Sequence, residues 1–203
     1  MDVHLGGQPV LRGLDLQLRS GESLGISGPT GSGKTTLLRL LATLLVPTRG
    51  EASLFGHRLG RGIATVRPRI ALVGHEAALH PDLTLAENMA LVAQLRGVEQ
   101  CTALEVLDEV GLGAAAARRS VTCSAGMIRR AELARVRLTR PSLLLLDEPH
   151  ASLDESARRL VDDVIREVID DRGTVVMVSH ETDRLETVIH RAHLSHGRLQ
   201  ALG

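Results

Sequence analysis

The sequence predicts an α/β fold with a small antiparallel β portion and a helical subdomain set into its middle. Three observations predict it. Gly28-Pro29-Thr30-Gly31-Ser32-Gly33-Lys34-Thr35-Thr36 has the form GxxxxGK[ST] and stands between a short apolar run and a leucine-rich helical pattern. Residues 143–146 are four leucines leading into Asp147-Glu148-Pro149, as expected of a strand buried on both faces. Between the two, from 76 to 140, helical periodicity and helix-start signals take over.

Taken in order, residues 10–18 end in an alternation of Leu14, Leu16 and Leu18 with Asp15 and Gln17, which predicts a half-buried, antiparallel strand. Ser20-Gly21-Glu22 turns the chain, and 23–27 runs as a strand into the glycine-rich loop. A helix is expected over 34–45, stopped by Pro47 and Gly50. Short strands are expected at 51–55 and 70–73. Thr84-Leu85-Ala86-Glu87 and Thr102-Ala103-Leu104-Glu105 both fit capping boxes, with Gly97 and Gly111 as stops. A third helix is expected over 125–139, ended by Arg140-Pro141. Leu160, Val161, Val164, Ile165 and Val168 form a core-facing stripe on a helix over 155–171. A buried strand at 174–179, a short helix and a hairpin around His196-Gly197 finish the chain.

Composition narrows the function. A length of 203 residues suits one domain with a sizeable core. Lys+Arg 24 against Asp+Glu 24 leaves no net charge to draw nucleic acid or acidic lipid. One Phe and no Trp or Tyr leave little surface for stacking bases. Cys101 and Cys123 do not make a disulfide framework, so a reducing cytosolic setting is the default. No leader is expected at the N-terminus, and the longest apolar stretch, 40–46, is too short to span a bilayer. Any action at a membrane is expected to pass through a partner.

The motifs carry specific chemistry. Phosphates need several backbone N–H groups converging on them, and Gly28, Gly31 and Gly33 allow that approach while the following helix N-terminus adds positive potential. Lys34 is placed for the β- and γ-phosphates and the Thr35 hydroxyl for Mg²⁺. Asp147, leaving a central strand beside the loop, can hold Mg²⁺ through its water shell. Glu148 can polarise an attacking water. Together these predict binding and hydrolysis of a nucleoside triphosphate.

A third motif, Cys123-Ser124-Ala125-Gly126-Met127, resembles the LSGGQ signature of ATP-binding cassette (ABC) ATPases. The resemblance covers nearly the whole chain: the loop, the signature, Asp147-Glu148-Pro149, a D-loop-like Ala151-Ser152-Leu153-Asp154, and His180 as a switch histidine. It implies a P-loop NTPase core of ABC type in one domain, with 1–75 and 141–203 as α/β core and 76–140 as helical subdomain. It implies an ATPase using ATP and Mg²⁺, His180 stabilising the γ-phosphate end. It also implies a homodimer in which ATP on one loop is capped by Ser124, Ala125 and Gly126 of the other copy. The partners implied are transmembrane permease subunits at the cytoplasmic face of the cell membrane, with no nucleic acid and no span of its own.

Three departures from the family pattern are visible. His75 stands where the family carries a Q-loop glutamine, and imidazole suits hard Mg²⁺ less well than an amide oxygen. The adenine-stacking aromatic before Gly6-Gly7 is replaced by His4-Leu5, and the strand that normally precedes it is expected to be missing. Met127 replaces the signature glutamine. Gly74-His75, Ser-Ala-Gly and Arg129-Arg130 are similar to the haem-exporter ATPases of cytochrome c maturation, while SxGMxRR patterns also occur in multidrug and polysaccharide exporters. A non-transport ABC ATPase of translation or repair and a binding-only regulatory subunit are the other readings. The arginines 118, 119, 129, 130, 135, 137 and 140 are expected to form a solvated helical face with Glu132 interleaved. His190, His193 and His196 are expected at the surface without a metal.

Overall fold

The computed structural model describes residues 1–60, 63–151, 153–180 and 188–202, apart from the side chains of Gln100 and Cys101. Its centre is a six-stranded sheet in the order β10-β9-β3-β8-β7-β6. The strands are β3 (Ser23–Ser27), β6 (Ile70–Val73), β7 (Leu143–Asp147), β8 (Thr174–Ser179), β9 (His190–Ser195) and β10 (Arg198–Leu202). All pairings are parallel except β9 with β10. Two antiparallel pairs stand apart: β1 (Val3–Leu5) with β2 (Gln8–Leu11), and β4 (Ser53–Leu54) with β5 (His57–Arg58).

The leucine run in β7 explains the layering. Successive side chains of a strand point to opposite faces. Leu144 and Leu146 join a core with Ala71, Val73, Val175 and Met177. That core is closed by α2 (Leu85–Arg96), α3 (Gln100–Glu109), α4 (Ala125–Thr139) and α5 (Glu155–Asp170). Leu143 and Leu145 join a second core with Leu24, Ile26, Val176 and Val178. It is closed by α1 (Lys34–Leu41) and the β1–β2 pair. A strand covered on both sides has no polar face, so it reads as unbroken leucine.

The helical insert follows its predicted punctuation in part. Thr84 accepts from the Glu87 N–H while the Glu87 carboxylate accepts from the Thr84 N–H, the reciprocal capping box expected of α2. Gly97 ends α2 in the left-handed conformation. α4 runs Ala125–Thr139 as expected; Arg140 caps it at φ 40, because the residue before Pro141 is pushed out of helical geometry.

Several expectations fail for tertiary reasons. Residues 12–18 form no strand. The Arg12, Gly13 and Leu14 N–H groups go separately to Gly197 O, Asp2 Oδ1 and Met1 O, so no continuous ladder develops. The alternation survives as burial alone, with Leu14 buried and Leu16 and Leu18 half-buried. β1 takes in His4-Leu5, the replaced aromatic position, and ends at Gly6-Gly7. α1 stops at Leu41, since Thr43 turns left-handed (φ 63) and the Leu44 N–H closes back on Arg39 O at 2.9 Å. α3 begins at Gln100 with Glu99 as its N-cap, so Thr102 falls inside the helix. The Val98 N–H is already bound to Ala93 O and its side chain packs on the core, which forces the helix to start at once. The helix expected before the final hairpin lies outside the described residues.

α4 is not a solvated arginine face. Ala131, Glu132, Leu133, Ala134, Val136 and Leu138 are buried on it, and Arg137 forks onto Glu167 at 3.0 and 2.7 Å.

Candidate functional site

In a parallel sheet the carboxyl ends of the strands lie at one edge, and loops leaving them meet there. β3, β8 and β7 are adjacent and in register, Ser27 beside Ser179 and Val178 beside Asp147. Three distant segments therefore emerge together: the glycine-rich loop after β3, Asp147-Glu148 after β7 and His180 after β8. They line a cleft of about 290 Å³ with Val10, Thr30, Gly31, Gly33, Lys34, Thr35 and Thr36.

The loop's path demands glycine at two points. A Cβ on Gly28 would lie 2.2 Å from Leu194 O, so nothing larger fits beneath β9. Gly33 is the N-cap of α1 at φ 107, where a side chain would be strained and would meet Leu11 Cδ2 at 2.8 Å. With no side chain capping α1, its first N–H groups have no partner within the helix and face the loop. Lys34 is buried in its stem and donates from Nζ to Gly28 O at 2.6 Å and Pro29 O at 3.1 Å, which pins its charge at the loop. Ser32 Oγ is buried without a hydrogen-bond partner among the described residues, a polar atom in the loop available to a ligand.

Thr35 Oγ1 donates to Asp147 Oδ2 at 2.9 Å. A hydroxyl and a carboxylate side by side are hard oxygen donors, the set that suits Mg²⁺ accompanied by water and phosphate oxygens. No group of three or more His, Cys, Asp or Glu poised for a metal occurs among the described residues, so an all-protein cage is not what this pair offers.

Glu148 sits at φ 48, sparsely populated for a non-glycine residue. Three contacts hold it there. Its N–H donates to Val178 O at 3.0 Å, Ser179 Oγ donates to Glu148 Oε2 at 3.2 Å, and His180 Nδ1 is 2.5 Å from Glu148 Oε1. The turn that follows is anchored by His150, buried, whose Nε2 lies 3.0 Å from Asp162 Oδ1 on α5. Sequence reasoning missed this pair, because twelve residues and a turn separate its members and neither carries a local signal.

The remaining sequence candidates lie elsewhere. Ser124 is the N-cap of α4, its Oγ accepting the Met127 N–H at 3.3 Å. Ser124 and Ala125 are exposed, and a Cβ on Gly126 would meet nothing within 4 Å. Neither these three nor the exposed His75 lines the cleft. Asp154 caps α5, accepting the Ala157 N–H at 2.8 Å and Ser156 Oγ at 2.7 Å, and these bonds hold its carboxyl below the usual range. Ser152 lies outside the described residues. His193 is half-buried, its Nδ1 3.1 Å from Ser27 Oγ, rather than free at the surface. Val10 of β2, which carries no local signal in the sequence, supplies an aliphatic wall of the cleft, and neither His4 nor Leu5 lines it.

A family model described as ABC transporter matches residues 11–151. The chain is 39% identical over 202 residues to the daunorubicin/doxorubicin resistance ATP-binding protein DrrA of Streptomyces peucetius, covering 97% of this chain and 61% of that protein. It is 38% identical over 175 residues to the cytochrome c biogenesis ATP-binding export protein CcmA of Bradyrhizobium diazoefficiens, covering 86% of each. Among solved structures it is similar to an ATP-binding subunit of an ABC transporter, with TM-score 0.90, 25% identity, and coverage of 99% of this chain and 87% of that one. It is also similar to the dimeric ATP-binding cassette MJ0796 in a post-hydrolysis state bound to ADP and Pi, with TM-score 0.87, 26% identity, and coverage of 100% and 95%.

Proposed function

The chain belongs to the ABC transporter family, and from that premise we propose that it is the ATP-hydrolysing subunit of an exporter, working as a pair around two Mg·ATP. The observation that carries this is the convergence of Lys34, Thr35, Asp147, Glu148 and His180 on one cleft at the carboxyl edge of the sheet.

The chemistry follows from the placement. Loop N–H groups and Lys34 bind the β- and γ-phosphates. Thr35 and Asp147 are the residues that would hold Mg²⁺, which when bound neutralises charge on the transferring phosphoryl group. Glu148 accepts a proton from water as the water oxygen attacks the γ-phosphorus; the bond from that phosphorus to the bridging oxygen breaks, and ADP carries away the electron pair. His180, within reach of Glu148, donates to the γ-phosphate end. Among the described residues the cleft takes no lining from α4, and exposed Ser124 and Ala125, with half-buried Gly126, are placed to cap a nucleotide held by a second copy. With Asp154 occupied as a cap of α5, the D-loop role falls to the stretch around it.

Family membership supports passing the work to separate permease subunits at the cytoplasmic face; no helix among the described residues is long and apolar enough to cross a membrane. For cargo, export of haem or a related factor of cytochrome c biogenesis is the reading favoured by His75 in the Q-loop position, by Ser124-Ala125-Gly126, and by a relative matched over 86% of both lengths. Drug export is the second reading, favoured by the match over 97% of this chain to a daunorubicin/doxorubicin resistance protein. Deleting the gene separates them: loss of covalently haem-stained cytochromes supports the first, and drug sensitivity with normal cytochromes the second. For the site itself, Glu148→Gln is expected to bind ATP and accumulate as a dimer while turnover falls by about 10²–10⁴. Undiminished hydrolysis would remove Glu148 from its role.

A further inference from the structure

Three charged side chains lie on one face of α4 at i, i+3 and i+6, and all three reach the same stretch of backbone. Arg135 Nη2 donates to Leu72 O at 2.8 Å. Arg129 Nη1 donates to Gly74 O at 3.4 Å. Glu132 Oε1 accepts the Ala78 N–H at 2.8 Å. The three also bind one another, with Glu132 3.6 Å from Arg135 and 3.9 Å from Arg129.

The arrangement is costly in its surroundings. Glu132 is 2% exposed, Arg135 12% and Arg129 15%. Burial raises the Glu132 carboxyl above the usual range, and burial lowers the Arg135 guanidinium. Buried ion pairs add little stability over apolar replacements of the same volume, so stability alone does not account for two of them sharing one carboxylate on one helix face. What distinguishes them is the grip. The bonds land on Leu72, Gly74 and Ala78, two before His75 and one after. That stretch is where the chain leaves β6 of the sheet for the helical insert. The helix doing the gripping has Ser124 at its N-terminus.

We propose that Arg129, Glu132 and Arg135 are positioning residues that tie the backbone on both sides of His75 to the helix bearing Ser124, so that this connection and α4 move as one body. The proposal rests on Ser124 facing a nucleotide held by a second copy. Through the clamp, any displacement at His75 becomes a displacement of Ser124. Neither residue needs to touch the other.

Two measurements test it. Hydrogen exchange without nucleotide reads the clamp alone: Glu132→Ala is expected to speed exchange of the Ala78 amide about tenfold or more, since its buried acceptor is gone. Steady-state kinetics reads the coupling: Glu132→Gln is expected to lower kcat about tenfold with KM within about twofold, since the loop that binds nucleotide is untouched. Glu132→Gln with Arg135→Met removes the two most buried of the three charges and is expected to recover the melting temperature without recovering kcat. Recovery of kcat together with the melting temperature, unchanged kcat in the single variant, or unchanged exchange at Ala78 would each overturn the proposal. Failure of Glu148→Gln to accumulate a dimer would instead overturn the shared site, with the exchange result standing apart from it.

Discussion

The phosphate loop and the charged face of α4 both grip backbone, but they are built in opposite ways. The loop uses residues that have almost nothing to offer: glycines, three within nine consecutive residues, two of which lie where a side chain would strike a neighbouring strand. The α4 face uses long charged side chains to hold carbonyls and an amide more than fifty residues away. The first is local, and any change within it acts on the site directly. The second is assembled only when α4 packs against β6, and it acts at a distance. Variants in the loop should therefore abolish function outright, whereas variants on α4 should shift it.

Gly28→Ala is the sharpest test of the local half. Its Cβ would stand 2.2 Å from Leu194 O, a backbone atom of a sheet strand that cannot swing aside. A loss of about 3 kcal/mol or more is expected in denaturant melts, with ATP binding lost beyond what unfolding explains. Full binding at normal stability would show that the loop tolerates a different path. Next in size is Leu146→Ala, on the face of β7 that packs toward the helical insert, just before Asp147. A fully buried leucine truncated in a packed core is expected to cost about 2–5 kcal/mol. Because Asp147 is set by the ladder to Val178 rather than by that side chain, nucleotide affinity should hold at temperatures where the fold survives.

Which parts were legible follows the same division. The loop, the β7 leucines with Asp147 and Glu148, the Thr84 cap and the span of α4 up to Arg140-Pro141 are all read from neighbouring residues, and each stands where the spacing put it. What failed depended on partners far along the chain. Thr102-Ala103-Leu104-Glu105 has the letters of a capping box, but packing of Val98 decided where α3 begins. Leu14, Leu16 and Leu18 alternate like a strand, but Asp2, Met1 and Gly197 claimed the neighbouring N–H groups. Glu132 looks like surface charge among arginines, yet it is buried because β6 and the chain after it cover that face. The His150–Asp162 pair and Val10 of the cleft wall likewise need the fold before they can be seen.

The distant half makes a pH prediction. Burial raises the Glu132 carboxyl, and the Ala78 N–H and the neighbouring Arg135 and Arg129 only partly offset this. A carboxyl raised in the folded state binds more protons folded than unfolded, so stability falls as pH climbs from the ordinary glutamate range to the raised folded value. Glu132→Gln should remove that decline: its melting temperature relative to the parent should improve steadily across the window and level off above it. A parallel offset at every pH would mean Glu132 titrates in the fold as it does in solution.

The smallest expected effect comes from Thr84→Ala, and it probes whether the insert's own local signals matter to the coupling. Thr84 caps α2 directly after the stretch that α4 grips, so its loss frays the helix from the end nearest Ala78. Losing an N-cap costs about 1 kcal/mol. The Glu87 carboxyl, held low by the Thr84 N–H and hydroxyl, should lose the hydroxyl bond and move back toward its usual range. If the clamp sets the position of the connection, fraying on its far side should leave exchange at Ala78 and kcat unchanged while α2 amides exchange faster. If instead kcat falls with the cap, the connection is positioned by α2 as well as by α4, and the division between a local and a distant grip is less clean than the bonds on α4 make it.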